Sequence, residues 1–381
     1  MDRGMDRRGV LKRAIAAGAA APLAGALSGT GPAQAQGQGQ AESAAKPLTS
    51  RQLAGQRVIF SYPGLTVPSA LLQQIRAGQA AGVIFFSGNI SSETQIAAVI
   101  RQLRQAQRQS PVAAPLLLMT DQEGGEVRRL PGAPAMAEKQ IGAAANPAAA
   151  ASSAGTGAGR NLAGVGMNVN LAPVLDVFYQ AGNFIDQYQR SYSSKAATVS
   201  SCGRAFITTQ QKAGVAATAK HFPGLGSAAT SQNTDARPVT LDVSLASLRG
   251  KDEVPYPAAI AAGVKLIMAS WAVYPALDAS HPAGLSPAVI QDELRGRLGF
   301  KGVTITDAIE AKALTRFGSY GQRALLAAQA GMDLLLCSAQ DPGQGQSVVT
   351  ALATALDGGQ LDRATFSAAV SRATALRGGL H

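Results

Sequence analysis

Short apolar runs recur eight times along the chain, at residues 57–62, 82–87, 115–121, 167–177, 215–221, 266–274, 302–307 and 333–338. Most are continuous rather than alternating. A strand with one wet face alternates apolar and polar side chains, so a continuous run marks a strand covered on both faces. Stretches with helical spacing lie between them. Residues 92–107 carry Ile96, Val99, Ile100 and Leu103 on one face, and 197–213 and 287–298 follow the same pattern. Ser286-Pro287 reads as a helix start, Gly331 as a C-cap after 324–330, and 363–376 as a closing helix. Strand–helix alternation repeated this often predicts an α/β protein built as a single (β/α)8 barrel of the TIM type, with an open doubly wound sheet as the other arrangement. Gly155-Thr156-Gly157-Ala158-Gly159 lacks the spacing of a dinucleotide fingerprint and does not follow a strand directly, so it reads as helix or loop glycine.

The chain before residue 49 has a different character. Arg7-Arg8-Gly9-Val10-Leu11-Lys12 is a twin-arginine pattern, followed by small apolar residues from Ala14 to Leu27 and an A-x-A site at Ala33-Gln34-Ala35. Residues 1–35 are therefore expected to be an export signal, 36–48 a flexible Gln/Gly/Ala/Ser linker, and 49–381 the barrel. The apolar stretch is too short for a stable membrane span. An exported protein, extracellular or associated with the cell wall, is the resulting expectation.

At 381 residues and 46% hydrophobic composition the chain can bury a large core. Its formal charge of +11 is scattered, without a dense basic run interleaved with aromatics, and argues against nucleic acid as a partner. Loose affinity for an anionic wall is compatible with it. Cys202 and Cys337 read as separate buried thiols or as one disulfide. With three histidines and no CxxC the chain makes no zinc pattern, so no zinc site is expected.

Three of the apolar runs end in polar groups: Asp121, Lys220-His221 and Asp307. Parallel barrels keep their chemistry at such strand ends. Two carboxylates and a cation–imidazole pair suit a polyhydroxylated ligand, since a carboxylate accepts two hydroxyl protons at once and the basic groups donate.

Taken together, Asp121-Gln122-Glu123-Gly124-Gly125, Asn170-Leu171-Ala172-Pro173-Val174-Leu175-Asp176, Arg190-Ser191-Tyr192, Lys220-His221-Phe222-Pro223-Gly224 and Thr306-Asp307-Ala308 resemble glycoside hydrolase family 3. The nearest branch is that of single-domain bacterial β-N-acetylhexosaminidases, and the likeness runs from about residue 50 to 378. It implies an eightfold barrel that binds a saccharide and cleaves β-linked amino sugars or hexoses with retention, without a cofactor, and by default as a monomer. By this resemblance Asp307 sits at the position of the nucleophile; helix capping is its plainer alternative. Asp121, Arg129, Arg190, Lys220 and His221 match sugar-contacting residues, with a structural ion-pair cluster as the alternative for Asp121. Glu123 and Asp176 are expected to hold loops and neighbouring basic groups.

One segment departs from the pattern. The family branch carries its acid/base histidine and an orienting aspartate on the loop after Lys220-His221. Here Ser231 stands in the aspartate position and Asn233 in that of the histidine, and asparagine does not donate and recover a proton at neutral pH. Three readings follow: a substitute acid, Asp235 being nearest in sequence; action only on activated substrates or with an external acceptor such as phosphate; or a degenerate barrel that binds glycans without turnover. A β-glucosidase-like enzyme is a further alternative. Trp271 occupies a position where the family carries a histidine, and would either stack on a sugar or pack beside the barrel mouth.

Overall fold

A computed structural model describes residues 47–380. The proposed signal at 1–35 and nearly all of the linker at 36–48 lie outside the described residues. Each apolar run yields one strand of a barrel: β1 (Val58–Phe60), β2 (Gly82–Ile84), β3 (Leu117–Thr120), β4 (Val169–Asn170), β5 (Ala216–Phe222), β6 (Leu266–Ala269), β7 (Val303–Ala308) and β8 (Leu334–Leu336). Every neighbouring pair is parallel, and β1 pairs with both β2 and β8, so the sheet closes on itself. Closure removes the open edges of a doubly wound sheet, and the single barrel stands as the fold.

The continuous apolar runs follow from this closure. Ile59, Ile84, Leu117, Met119, Val169, Met268, Ile305 and Leu334 form one buried group, the lumen of the barrel. Their strand neighbours Val58, Phe60, Val83 and Leu118 pack outward into a second group with the helices. Both faces of each strand are thus dry, and area burial at roughly 25 cal/mol per Å² drives both layers together.

Helices fill the crossovers. Glu93–Gln107 buries Ile96, Val99, Ile100 and Leu103, the face read from the sequence, and Ser92 caps its start. The glycines at 155 and 159 lie inside the helix Pro147–Val165. A Cβ on Gly155 would come within 2.4 Å of the Phe206 carbonyl oxygen, so these glycines let that helix seat against Ala196–Lys212. Gly331 ends Tyr320–Ala330 in the left-handed region at φ 100°, as a C-cap should. Segment 287–298 is helical at Ala288–Arg297, with the wider π-type bonding, and the closing helix runs Arg363–Gly378.

Two runs contain less strand than their apolarity suggested. After Asn170 the regular ladder ends, although the Ala172 and Pro173 carbonyls still accept the Thr218 and Lys220 N–H groups and Val174 bridges Lys220. The run at 266–274 breaks at Ser270, whose N–H donates to the Phe222 carbonyl, and Val273–Tyr274 turns away to pair antiparallel with Asp278–Pro282. Cys202 and Cys337 are both free and buried.

Candidate active site

The C-terminal ends of the strands surround a cavity of about 490 Å³. Asp121, Arg129, Arg190, Lys220, His221, Asp235 and Asp307 all line it, with Thr234, Glu310 and Lys312, which the sequence did not single out. Ser231 and Asn233 do not: Ser231 is exposed on the loop and Asn233 is half-buried beside it. Asp121, Lys220, His221 and Asp307 converge because each lies at a strand end, and closure of the barrel brings those ends into one ring; Arg129, Arg190 and Asp235 reach the same cavity from the longer loops after β3, β4 and β5.

On one wall, charges are matched in pairs. Lys220 Nζ lies 2.7 Å from Asp121 Oδ1 and 2.8 Å from Glu123 Oε1. Arg190 meets Glu123 through two parallel bonds of 2.8 Å, Nε to Oε2 and Nη2 to Oε1. Burial alone would raise the Glu123 carboxyl, but Arg190 and Lys220 outweigh it and hold it well below the usual carboxylate range. The same balance works in reverse on Lys220, where burial would lower the ammonium and Asp121 and Glu123 raise it. The wall is therefore charged and rigid, and Glu123 holds basic groups in place as expected. Asp121 also accepts the Arg129 N–H at its backbone carbonyl, 3.2 Å away, because the hairpin Gln122–Gly124/Val127–Arg128 folds the chain back. Gly124 makes this fold feasible: its φ is 118°, and a Cβ there would lie 2.2 Å from the Met136 carbonyl oxygen.

His221 is fixed from behind. Asp176, fully buried, accepts the Leu225 N–H at 2.7 Å and the His221 N–H at 3.3 Å, and its Oδ2 is 2.7 Å from His221 Nδ1. An aspartate in this acceptor role requires the proton on Nδ1, which leaves Nε2 as the free ring nitrogen of a residue that lines the cavity.

On the opposite wall the carboxyls of Asp235, Asp307 and Glu310 form no ion pair among the described residues. Asp307 is the penultimate residue of β7 and its Oδ1 accepts the Ala308 N–H at 2.7 Å. Glu310 accepts from Ser338 Oγ at 2.6 Å, the Ser338 N–H at 3.2 Å and Gln344 Nε2 at 2.9 Å. Asp235, an exposed residue overall, turns its carboxyl toward the cavity wall. Burial there, then the charge of Asp307, push its pKa up to about 6, against lowering by His221 and Arg190. A charged residue inside Ala308-Ile309-Glu310-Ala311 was the available signal for Glu310.

Trp271 packs beneath the mouth. It is fully buried, its Nε1–H donates to the Ala308 carbonyl at 2.8 Å, and a Cβ on Gly284 would come within 2.5 Å of its ring. The stacking alternative for this indole is thereby corrected to packing. His281 belongs to the separate hairpin and contacts Asp278 at 3.1 Å. Among the described residues no group of histidine, cysteine and carboxyl side chains has the clustering of a metal site, and no helix is long and apolar enough to cross a membrane.

Residues 58–376 match the model of the glycosyl hydrolase family 3 N-terminal domain. An uncharacterized secreted glycosyl hydrolase of Arthroderma benhamiae is 48% identical over 326 residues, which cover 85% of this chain and 92% of that one. The structure of a β-N-acetylglucosaminidase of the same family from Paenibacillus sp. str. FPU-7 superposes with a TM-score of 0.82 at 33% identity, over 87% of this chain. This chain spans 63% of the length of that protein. A β-N-acetylhexosaminidase from Beutenbergia cavernae DSM 12333 gives a TM-score of 0.79 at 34% identity, over 87% of this chain and 99% of its own.

Proposed function

Because the chain belongs to glycoside hydrolase family 3, we propose that it is an exported retaining hydrolase that removes terminal β-linked N-acetylhexosamine. The observation that carries this reading is the convergence of Asp121, Arg190, Lys220, His221 and Asp307 on one cavity of about 490 Å³. That volume suits one sugar ring with part of its leaving group. The β-N-acetylhexosaminidase relatives favour an amino sugar over glucose. The twin-arginine leader and the secreted relative support export.

The geometry supports a division of labour between the walls. Asp121, Lys220, Arg190 and Arg129 offer acceptors and donors for ring hydroxyls, and the ion pairs of Lys220 with Asp121 and of Lys220 and Arg190 with Glu123 meet part of the ordering cost before substrate arrives. His221 adds a donor or acceptor at Nε2. Asp307, on a rigid strand end, attacks the anomeric carbon and forms a glycosyl ester that water then resolves.

Asp307→Ala is expected to lower turnover of p-nitrophenyl N-acetyl-β-glucosaminide by more than about 10³-fold while leaving affinity for N-acetylglucosamine measurable by calorimetry. NMR of the first-formed sugar should show the β anomer; an α product would refute retention. The replacement of the expected dyad by Ser231 and Asn233 favours a second reading, a barrel that binds without turnover. It predicts calorimetric binding with no hydrolysis by the unaltered protein.

A further inference from the structure

The segment that lacks the expected histidine is held to the nucleophile's own loop by backbone hydrogen bonds. The Lys312 N–H donates to the Asp235 carbonyl and the Ala313 N–H to the Thr234 carbonyl, both at 3.1 Å. Residues 312 and 313 open the short helix Lys312–Phe317 that follows Asp307. This strap brings Thr234 and Asp235, rather than Asn233, to the cavity wall. Asn233 instead shapes the backbone. Its Oδ1 accepts the Asp235 N–H at 2.8 Å, an Asx turn that directs the chain at Asp235.

The other carboxyls at the cavity are committed. Asp121 is paired with Lys220, Glu310 takes three donors, and Asp307 takes the Ala308 N–H. Among the described residues, the Asp235 carboxyl alone of these four makes no hydrogen bond to protein. An acid/base catalyst needs that freedom, since its oxygen must reach the glycosidic oxygen and then a water.

We infer that Asp235 is the catalytic acid/base of this enzyme and that Asn233 is its positioning residue. The inference rests on the glycosidase reading. In the first half-reaction Asp307 bonds to the anomeric carbon, the C–O bond to the leaving group breaks, and the Asp235 proton goes to the departing oxygen. In the second, water attacks the same carbon, its proton goes to the Asp235 carboxylate, and the ester to Asp307 breaks. The groups that face Asp235 are Asp307 and Glu310, which favour its protonated form, and His221 and Arg190, which oppose it. Lys312 lines the same wall as a further cation. With its pKa pushed up to about 6, Asp235 keeps its proton into mildly acidic conditions.

Asp235→Ala and Asp235→Asn are compared with the unaltered enzyme on chitobiose, whose leaving oxygen needs a proton, and on dinitrophenyl N-acetyl-β-glucosaminide, whose leaving group does not. Turnover of chitobiose is expected to fall by about 10²–10⁴-fold. The dinitrophenyl substrate should give a burst followed by slow turnover, and azide should restore the rate with formation of the β-glycosyl azide. The alkaline limb of the pH profile should disappear in both variants. Asn233→Ala should lower kcat with little change in KM and shift that limb, and Asn233→Asp, which keeps the acceptor, should restore both. Circular dichroism confirms that each variant is folded. Chitobiose turnover within about 3-fold of the unaltered enzyme, with an intact alkaline limb, would overturn the assignment. If that occurs while Asp307→Ala is inactive, the glycosidase reading survives alone. Absence of turnover by the unaltered enzyme on both substrates would overturn both.

Discussion

A buried acid beside Gly224, in the loop after β5, sets the first residue-scale expectation. Asp252 is buried, accepts the Tyr179 hydroxyl at 2.6 Å through Oδ2, and leaves Oδ1 without a partner. Burial pushes its pKa up to about 7; Tyr179 opposes the shift and the charge of Asp176 adds to it. An unfolded chain would release this proton near pH 4. Between there and neutrality the folded state binds more protons, so the stabilisation is full below the lower value and is lost as pH rises through about 7. Asp252→Asn cannot ionise. It should therefore show a smaller fall in melting temperature from pH 5 to pH 8 than the unaltered protein, measured by calorimetry; an identical fall would exclude Asp252 as the source. Asp121, Lys220, His221 and Asp307 were legible in the sequence because each closes an apolar run, and strand ends of a barrel share one rim. Asp252 and Glu310 were not, because their environments are made by residues distant in the chain: Tyr179 for one, Ser338 and Gln344 for the other.

Among the elements, the loop from Gly224 to Asp235 matters most. One side is pinned to the 178–190 segment, where Tyr179 and Asn183 both donate to the Gly226 carbonyl and Thr230 donates to that of Gly182. A Cβ on Gly226 would lie 1.9 Å from the Val177 carbonyl oxygen, so this approach needs a glycine. The other side is the strap to Lys312 and Ala313. Lys312→Pro removes one strap donor at a first-turn position that tolerates proline, and Ala311 is already extended at φ −48°, ψ 137° as a residue before proline should be. Compared with Lys312→Ala, which keeps the N–H, Lys312→Pro should lower kcat by about tenfold, on the scale of one net backbone hydrogen bond, with nearly unchanged melting temperature. Equal kcat in the two variants would show that the strap does not position Asp235. Counting along this loop without gaps directs attention to Ser231 and Asn233, because a loop has no period to fix which side chain faces inward. Of Ser231, Asn233 and Asp235, the structure brings only Asp235, named from the sequence as a substitute acid, to the cavity.

At the scale of the barrel, the cavity and a buried cluster of charges occupy opposite ends of the strands. At the strand starts, fully buried Asp333 accepts from Arg295 at 2.7 Å, from Arg372 at 2.8 Å and from the Thr304 N–H at 2.9 Å. Arg57, also buried, donates to the Met332 and Asp333 carbonyls and lies over the Phe366 ring. Asp333→Ala strands these charges and should cost about 3–5 kcal/mol in chemical denaturation while leaving KM unaltered; a raised KM would contradict the separation of the two ends. Fold was the most legible level, since eight mostly continuous runs alternating with helices admit few covered sheets; closure itself rests on the pairing of β1 with both β2 and β8. The exact strand limits in 167–177 and 266–274 were not, because apolar chain that lines a rim looks the same as apolar chain in a ladder. Trp271, held under Ala308 by its ring N–H, is the sole tryptophan of the chain. Its emission, excited where tyrosine does not absorb, therefore reports on the backbone next to Asp307 without any added label.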